Sequence, residues 1–144
     1  MDQGVITLWV ARHFWKSDVA YFGYGGTGKQ VRDVMHIADL FDLVDYEIHH
    51  FDQVNGHTFN AGGGLASSVS LKELTDICAT VTGNHVKANS DPQTRRGDIP
   101  VYITDNTRIH NHIGWQARHN ATKVVEDIFN WIRENEQQLK KILN

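Results

Sequence analysis

Val19-Ala20-Tyr21-Phe22-Gly23-Tyr24-Gly25-Gly26-Thr27-Gly28-Lys29-Gln30-Val31-Arg32-Asp33-Val34-Met35-His36-Ile37 joins a short apolar run, a glycine-dense loop and an apolar alternation that carries Arg32. Two nucleotide motifs match inside it or nearly do, and the surrounding residues argue against both. Gly23, Gly25 and Gly28 satisfy GxGxxG. In a dinucleotide-binding unit the last glycine opens a helix whose N-terminus faces the pyrophosphate. Here Val31, Asp33 and Met35 alternate with Arg32, Val34 and His36, a period of two that predicts a strand over 31–37. Gly23 to Gln30 reads G-x-x-x-x-G-K-Q. A P-loop requires Ser or Thr after the lysine to hold magnesium, and a helix around it. Gln30 has no hydroxyl, and the pattern after it is strand-like. The alternative to both motifs is a flexible glycine loop between two short strands.

Outward from this stretch, helices and short strands alternate. Ile6, Trp9, Val10 and Phe14 sit at helical spacing and predict a helix from Val5 to about Lys16. Val19 to Phe22 reads as a strand. Asp39 is placed to cap a helix over 40–50, followed by a turn over 51–56 and a short strand over 57–61. Gly62-Gly63-Gly64 then permits either a tight turn or the close passage of another segment. Ser70-Leu71-Lys72-Glu73 is a capping box, opening a helix that Gly83 stops. Short strands are expected over 85–87 and 101–104, separated by a polar loop that holds Arg95, Arg96 and Asp98. Asp105 and Asn120 are placed to cap the last two helices, the final one long and amphipathic. The class is α/β. Strands this few and short are those expected to extend a sheet whose bulk lies elsewhere.

The chain has 144 residues, 40% apolar and 22% charged, which is one domain's worth of ordinary globular composition. A net charge of -3 argues against a general nucleic-acid binder. No apolar run is long enough for a membrane span. The one cysteine, Cys78, excludes an internal disulfide and suits a reducing, cytoplasmic setting. It stands in an apolar helical pattern, which reads as core rather than nucleophile. Met1 to Gly4 leads straight into an apolar helix, as expected of a chain cut at a domain boundary.

Arg32 beside the glycine loop and Arg95 in the second polar loop are candidates for a diphosphate clamp. The planar guanidinium fork donates two parallel hydrogen bonds to phosphate. Asp98, three residues beyond Arg95, can accept from sugar hydroxyls. The competing reading pairs Arg32 with Asp33 or Asp39 and leaves Arg95 and Arg96 in solvent. The nine histidines do not have metal-site spacing: His110 and His112 are two apart, His49 and His50 adjacent, and HExxH is absent. The sequence holds no G-x-S-x-G and no Tyr-x-x-x-Lys.

Four stretches carry a resemblance. The run from Gly28 to Leu40, G-K-Q-V-R-D-V-M-H-I-A-D-L, resembles a signature of the extended short-chain dehydrogenase/reductase family, in its nucleotide-sugar epimerases and dehydratases. Phe59-Asn60-Ala61-Gly62-Gly63-Gly64 with Ser70-Leu71-Lys72-Glu73-Leu74 looks like the family's strand, glycine turn and capped helix. Arg95-Arg96-Gly97-Asp98-Ile99-Pro100 looks like its R-x-G-D substrate loop. Asp105 through Gly114-Trp115, with the helix ending near Trp131, looks like its C-terminal close. Within the family, the loop from Phe22 to Gln30 most resembles the CDP-paratose (CDP-tyvelose) 2-epimerase branch.

The resemblance implies the C-terminal, mixed helix and short-strand domain of an extended Rossmann-type enzyme, with residues 1–144 as its substrate-binding domain. It implies that Arg32 and Arg95 hold a diphosphate, that Asp98 holds a ribose hydroxyl, and that main-chain groups near Ala20 and Phe22 line the base. His36 and Asp39 look structural. NAD would be bound by an N-terminal Rossmann domain that this chain lacks. The parent would be a cytoplasmic, homo-oligomeric isomerase acting on a nucleotide-diphosphate sugar, with no nucleic-acid or membrane partner, and this chain alone would be inactive. The alternative is a stand-alone nucleotide-sugar-binding or interaction module that has lost catalysis.

Overall fold

A computed structural model describes residues 4–94 and 96–143. In chain order its helices are α1 (Val5–Phe14), α2 (Ile37–His49), α3 (Phe51–Val54), α4 (Leu71–Thr82), α5 (Thr107–Ile113), α6 (Ala121–Glu134) and α7 (Glu136–Leu143). The strands are β1 (Val19–Phe22), β2 (Val31–Asp33), β3 (Ser68–Ser70), β4 (Ala88–Asp91) and β5 (Val101–Tyr102). β1 pairs in parallel with β4. β2 lies between antiparallel β3 and parallel β5. The class is the expected mixed α/β.

The core lies among α1, α4, α6 and α7, with Val19 of β1 against it. Val10, Ala11, Cys78, Val125 and Ile132 have no exposed surface. Burial also pushes the Cys78 thiol up to about 12, which removes thiolate chemistry at neutral pH. Trp9 Nε1 and Tyr21 Oη both donate to Thr75 Oγ1, at 3.0 and 2.9 Å. Thr75 in turn donates to Leu71 O. This network satisfies the polar ends of two large rings at the edge of the core.

The capping box forms as its sequence requires. Ser70 Oγ accepts from Glu73 N at 3.2 Å, and Glu73 Oε2 accepts from Ser70 N at 2.8 Å. These bonds from Ser70 hold the Glu73 carboxyl below the usual carboxylate range. α4 ends at Gly83 with φ +70. Ser70→Ala should cost about 1 kcal/mol of unfolding free energy, the usual loss of an N-cap hydroxyl. Denaturant titration reads this directly, and an unchanged midpoint would remove the cap from the stabilising interactions.

Several boundaries differ from expectation, each because a tertiary partner decides. The strand expected over 31–37 ends at Asp33: Val34 N still reaches Ser67 O in register with β3, but Ser67 N donates to Gly64 O, so the reciprocal rung is not made. His36, not Asp39, caps α2: its Nδ1 accepts from Ala38 N while Nε2 donates to Asp127 Oδ2 at 2.9 Å. Asp39 is buried and turned to His119. The turn over 51–56 contains α3, and residues 57–61 are not in a strand. The strand expected over 85–87 lies at Ala88–Asp91, where β1 supplies the partner. The last helix breaks at Asn135, whose Nδ2 closes α6 on Trp131 O and whose carbonyl accepts from Leu139 N in α7. No helix among the described residues is long and apolar enough to cross a membrane.

Candidate functional site

Alternation along β1 sends Val19 into the core and sets Ala20 and Phe22 on the wall of a cleft of about 500 Å³. Arg32 of β2 stands opposite Val69 of β3 in the ladder, and both line the same cleft. Trp9, Leu71 and Leu74 add an apolar wall. Arg96, Gly97 and Asp98 form the rim. Four of the five residues proposed from sequence, Ala20, Phe22, Arg32 and Asp98, therefore share one cavity. Arg95 lies outside the described residues. Arg96, which the competing reading left in solvent, lines the cleft.

Arg32 pairs with neither Asp33 nor Asp39. Its Nη2 donates to Asp98 Oδ1 at 3.0 Å and to Ile99 O at 2.7 Å, and its Nη1 donates to Val31 O at 2.7 Å. Asp33 instead accepts from Gly64 N, and Asp39 from His119. The Arg32 and Asp98 side chains are 36% and 33% exposed, so their pair is screened and contributes no more than about 1 kcal/mol. Among the described residues, bonds engage three of the five N–H donors that a guanidinium carries.

The glycine loop is a clasp for this rim. Gly23 N donates to Asp91 O at 2.8 Å, Tyr24 N to Thr94 Oγ1 at 2.9 Å, and the Tyr24 hydroxyl to Asp98 O at 2.5 Å. Gly23 has φ +79, and a Cβ there would press on Thr94 Cα at 3.3 Å. The loop runs into β2 rather than a helix, so Gly23, Gly25 and Gly28 build no dinucleotide cradle. Lys29 is exposed and lacks the surrounding helix of a P-loop. With Tyr-x-x-x-Lys also missing, the residues of this chain do not fit NAD, and no step through it follows from them. Among the described residues no group of three or more His, Cys, Asp or Glu could hold a metal ion.

Sequence reasoning passed over Gln30. It is 7% exposed and lines the cleft. Its Nε2 donates to Phe22 O, while its Oε1 is buried with no partner among the described residues. The available signal was a lone amide between two apolar strands, and it was weighed only as a missing magnesium ligand.

No family model matches this chain. It is 31% identical over 110 residues to a CDP-paratose 2-epimerase of Salmonella typhi, covering 76% of this chain and 32% of that protein. It is likewise 31% identical over 111 residues to a UDP-glucose 4-epimerase of Halalkalibacterium halodurans, covering 75% and 32%. A UDP-glucuronic acid 4-epimerase from Bacillus cereus, solved with UDP-glucuronic acid and NAD, superposes with a TM-score of 0.78 at 14% identity, covering 92% of this chain and 40% of that one. The fold is thus that of the C-terminal part of an extended short-chain dehydrogenase/reductase. The chain belongs to that family. It spans about a third of the length of the curated relatives it matches.

Proposed function

We propose that this chain is the nucleotide-diphosphate-sugar-binding portion of an NAD-dependent epimerase whose ligand is a CDP-sugar. The carrying observation is the convergence of Ala20, Phe22, Arg32 and Asp98 on one cleft from three separate stretches of chain. A guanidinium with two donors unused among the described residues, in one cleft with an aromatic side chain, suits a nucleoside diphosphate. Phosphate replaces Asp98 on Arg32 at small cost, because the pair is half-exposed. Arg95 joins Arg32 on the diphosphate, and the released Asp98 accepts from a ribose hydroxyl. The CDP assignment rests on the likeness of the Phe22–Gln30 loop to the CDP-paratose 2-epimerase branch and on the identity to such an enzyme.

The hydride step belongs to a Rossmann-type domain, corresponding to the two thirds of the relatives that this chain does not span. An unpartnered face is consistent with such a domain. Ile37, Phe41, Val44 and Ile48 are spaced at the a and d positions of a helix seam, and are 73%, 68%, 43% and 68% exposed. Among the described residues, the backbones of 58–61 make no hydrogen bond, as expected of a strand whose partner lies on that domain. Alone the chain is inactive. The assembled parent is a homo-oligomer of the cytoplasm.

Isothermal titration with CDP, UDP, GDP and dTDP tests the binding. CDP should bind tightest, and the binding should weaken with salt because exposed charges are screened over about 8–10 Å. Arg32→Ala should cost about 1.5–3 kcal/mol, the range for a hydrogen bond to a charged group. If no diphosphate binds, or Arg32→Ala binds as tightly as the wild type, the reading fails.

A further inference from the structure

Gln30 presents a buried amide with only one half satisfied. Its Nε2 is fixed on Phe22 O, so the amide orientation is set, since the flipped amide would put two acceptors together. Oε1 is left as a buried acceptor, without a partner among the described residues, on a side chain that lines the cleft. A buried acceptor without a donor is a standing cost that a bound ligand can relieve. The Phe22 side chain is 46% exposed at the same cleft. An exposed ring beside a recessed acceptor suits a flat heteroaromatic base, with one face stacked and one edge donating. Arg32 lies two residues on, about 7 Å along extended chain. One nucleotide can therefore place its base edge at Gln30 and its diphosphate at Arg32.

We propose that Gln30 reads the base of the ligand, its Oε1 accepting a hydrogen bond from an exocyclic amine on the base edge. The inference rests on the cleft being a nucleoside-diphosphate site, and it names the discriminating residue. Cytosine carries that amine. Uracil has a carbonyl in the same position, and two acceptors then face each other across a dry contact, which is how a site built to hydrogen-bond one partner rejects another.

Titration of the chain with CDP, UDP and dCDP tests this. The wild type should bind CDP about tenfold tighter than UDP, the effect of one hydrogen bond to a buried group. dCDP forgoes what the missing 2′-hydroxyl gives to Asp98 but keeps the base contact, so Gln30→Met should weaken dCDP by the same factor as CDP. Gln30→Met, similar in volume but without the acceptor, should bind CDP and UDP alike. The ratio cancels any general loss from the missing bond to Phe22 O. The wild-type ratio of CDP to UDP needs no variant, so a poorly folded Gln30→Met leaves the proposal testable. Arg32→Ala should weaken both nucleotides equally and leave their ratio intact. A wild-type chain that binds CDP and UDP alike overturns the proposal, even where Arg32→Ala weakens both and the diphosphate reading stands. So does a folded Gln30→Met with the wild-type ratio, or one that weakens CDP but not dCDP. A chain that binds none of the three overturns this proposal and the diphosphate reading together.

Discussion

Gly63→Ala should destabilise the chain by roughly 3 kcal/mol or more, the upper range for overpacking a closed site. A Cβ at Gly63 would stand 2.1 Å from Val34 O and 2.7 Å from Val34 C. Both are backbone atoms, so no side-chain rotation relieves the contact. The carbonyl is also held in place. It accepts from Ser67 Oγ at 2.6 Å, and Val34 N donates to Ser67 O at 3.0 Å. Pushing Val34 away breaks these bonds and opens the exit of β2, two residues after Arg32. Melting should fall by about 10 °C for a domain of this size. Gly114→Ala is the control. Gly114 has φ +72 but nothing within 4 Å of an added Cβ, so its cost is that of the left-handed backbone alone, about 1–2 kcal/mol. Equal losses at the two positions would show that backbone conformation, not the approach of Val34, is what glycine serves at 63.

Gly63 illustrates how far the sequence could be read. Three glycines in a row left a tight turn and a close passage both open, because the choice depends on what lies across the gap. Signals contained within a few residues resolved well. The short apolar run over β1, the Ser70 and Glu73 box, the Gly83 stop and the Asn120 cap all act within one turn or strand. Signals that depend on a distant partner did not. Polar Ala88–Asp91 is a strand because β1 pairs with it, whereas His85-Val86-Lys87, expected as the strand, is not. Thr58 and Phe59 have strand propensity and no ladder to join among the described residues. Arg32 finds Asp98, 66 positions away, in preference to the acidic residues beside it. The cleft was legible as types of residue and through family resemblance, but not as geometry. Trp9, Leu71 and Leu74 read as core from their spacing, and nothing in that spacing marks which core residues also face a cavity.

Asp39→Ala should cost about 3 kcal/mol near neutral pH, the range for leaving the partners of a buried charged acceptor unmatched. The Asp39 side chain is 1% exposed. Its Oδ1 accepts from His119 Nδ1 at 2.8 Å and its Oδ2 from His119 N at 3.2 Å. Removing the carboxylate leaves these donors unmatched and untethers the segment before α6 from α2. His119 is 32% exposed and can turn to water, which keeps the cost from going higher. Acid should reproduce the loss in the wild type. Burial pushes the Asp39 carboxyl up, but the bonds from His119 and from the Arg118 backbone outweigh it and leave the group below its ordinary value of 3.8. The folded carboxylate therefore holds its proton less tightly than the unfolded one. Its contribution is fully present above 3.8 and is lost as pH falls through the lower folded value. His13 acts earlier in the same direction. Burial lowers it from 6.5, with the nearby His85 adding to the effect and its bond to Trp9 O opposing it. The unfolded chain thus takes up a proton below 6.5 that the folded chain resists, and stability begins to decline there. Wild type and Asp39→Ala should share the first decline. Both lose the share of Glu73 in acid, but only the wild type also loses that of Asp39 below 3.8, so the gap between their unfolding free energies should narrow in strong acid. Chemical denaturation across that range measures the gap. A constant difference from neutral to strong acid would mean that the cost of Asp39→Ala is one of packing, and that the carboxylate's charge contributes nothing to the bond with His119.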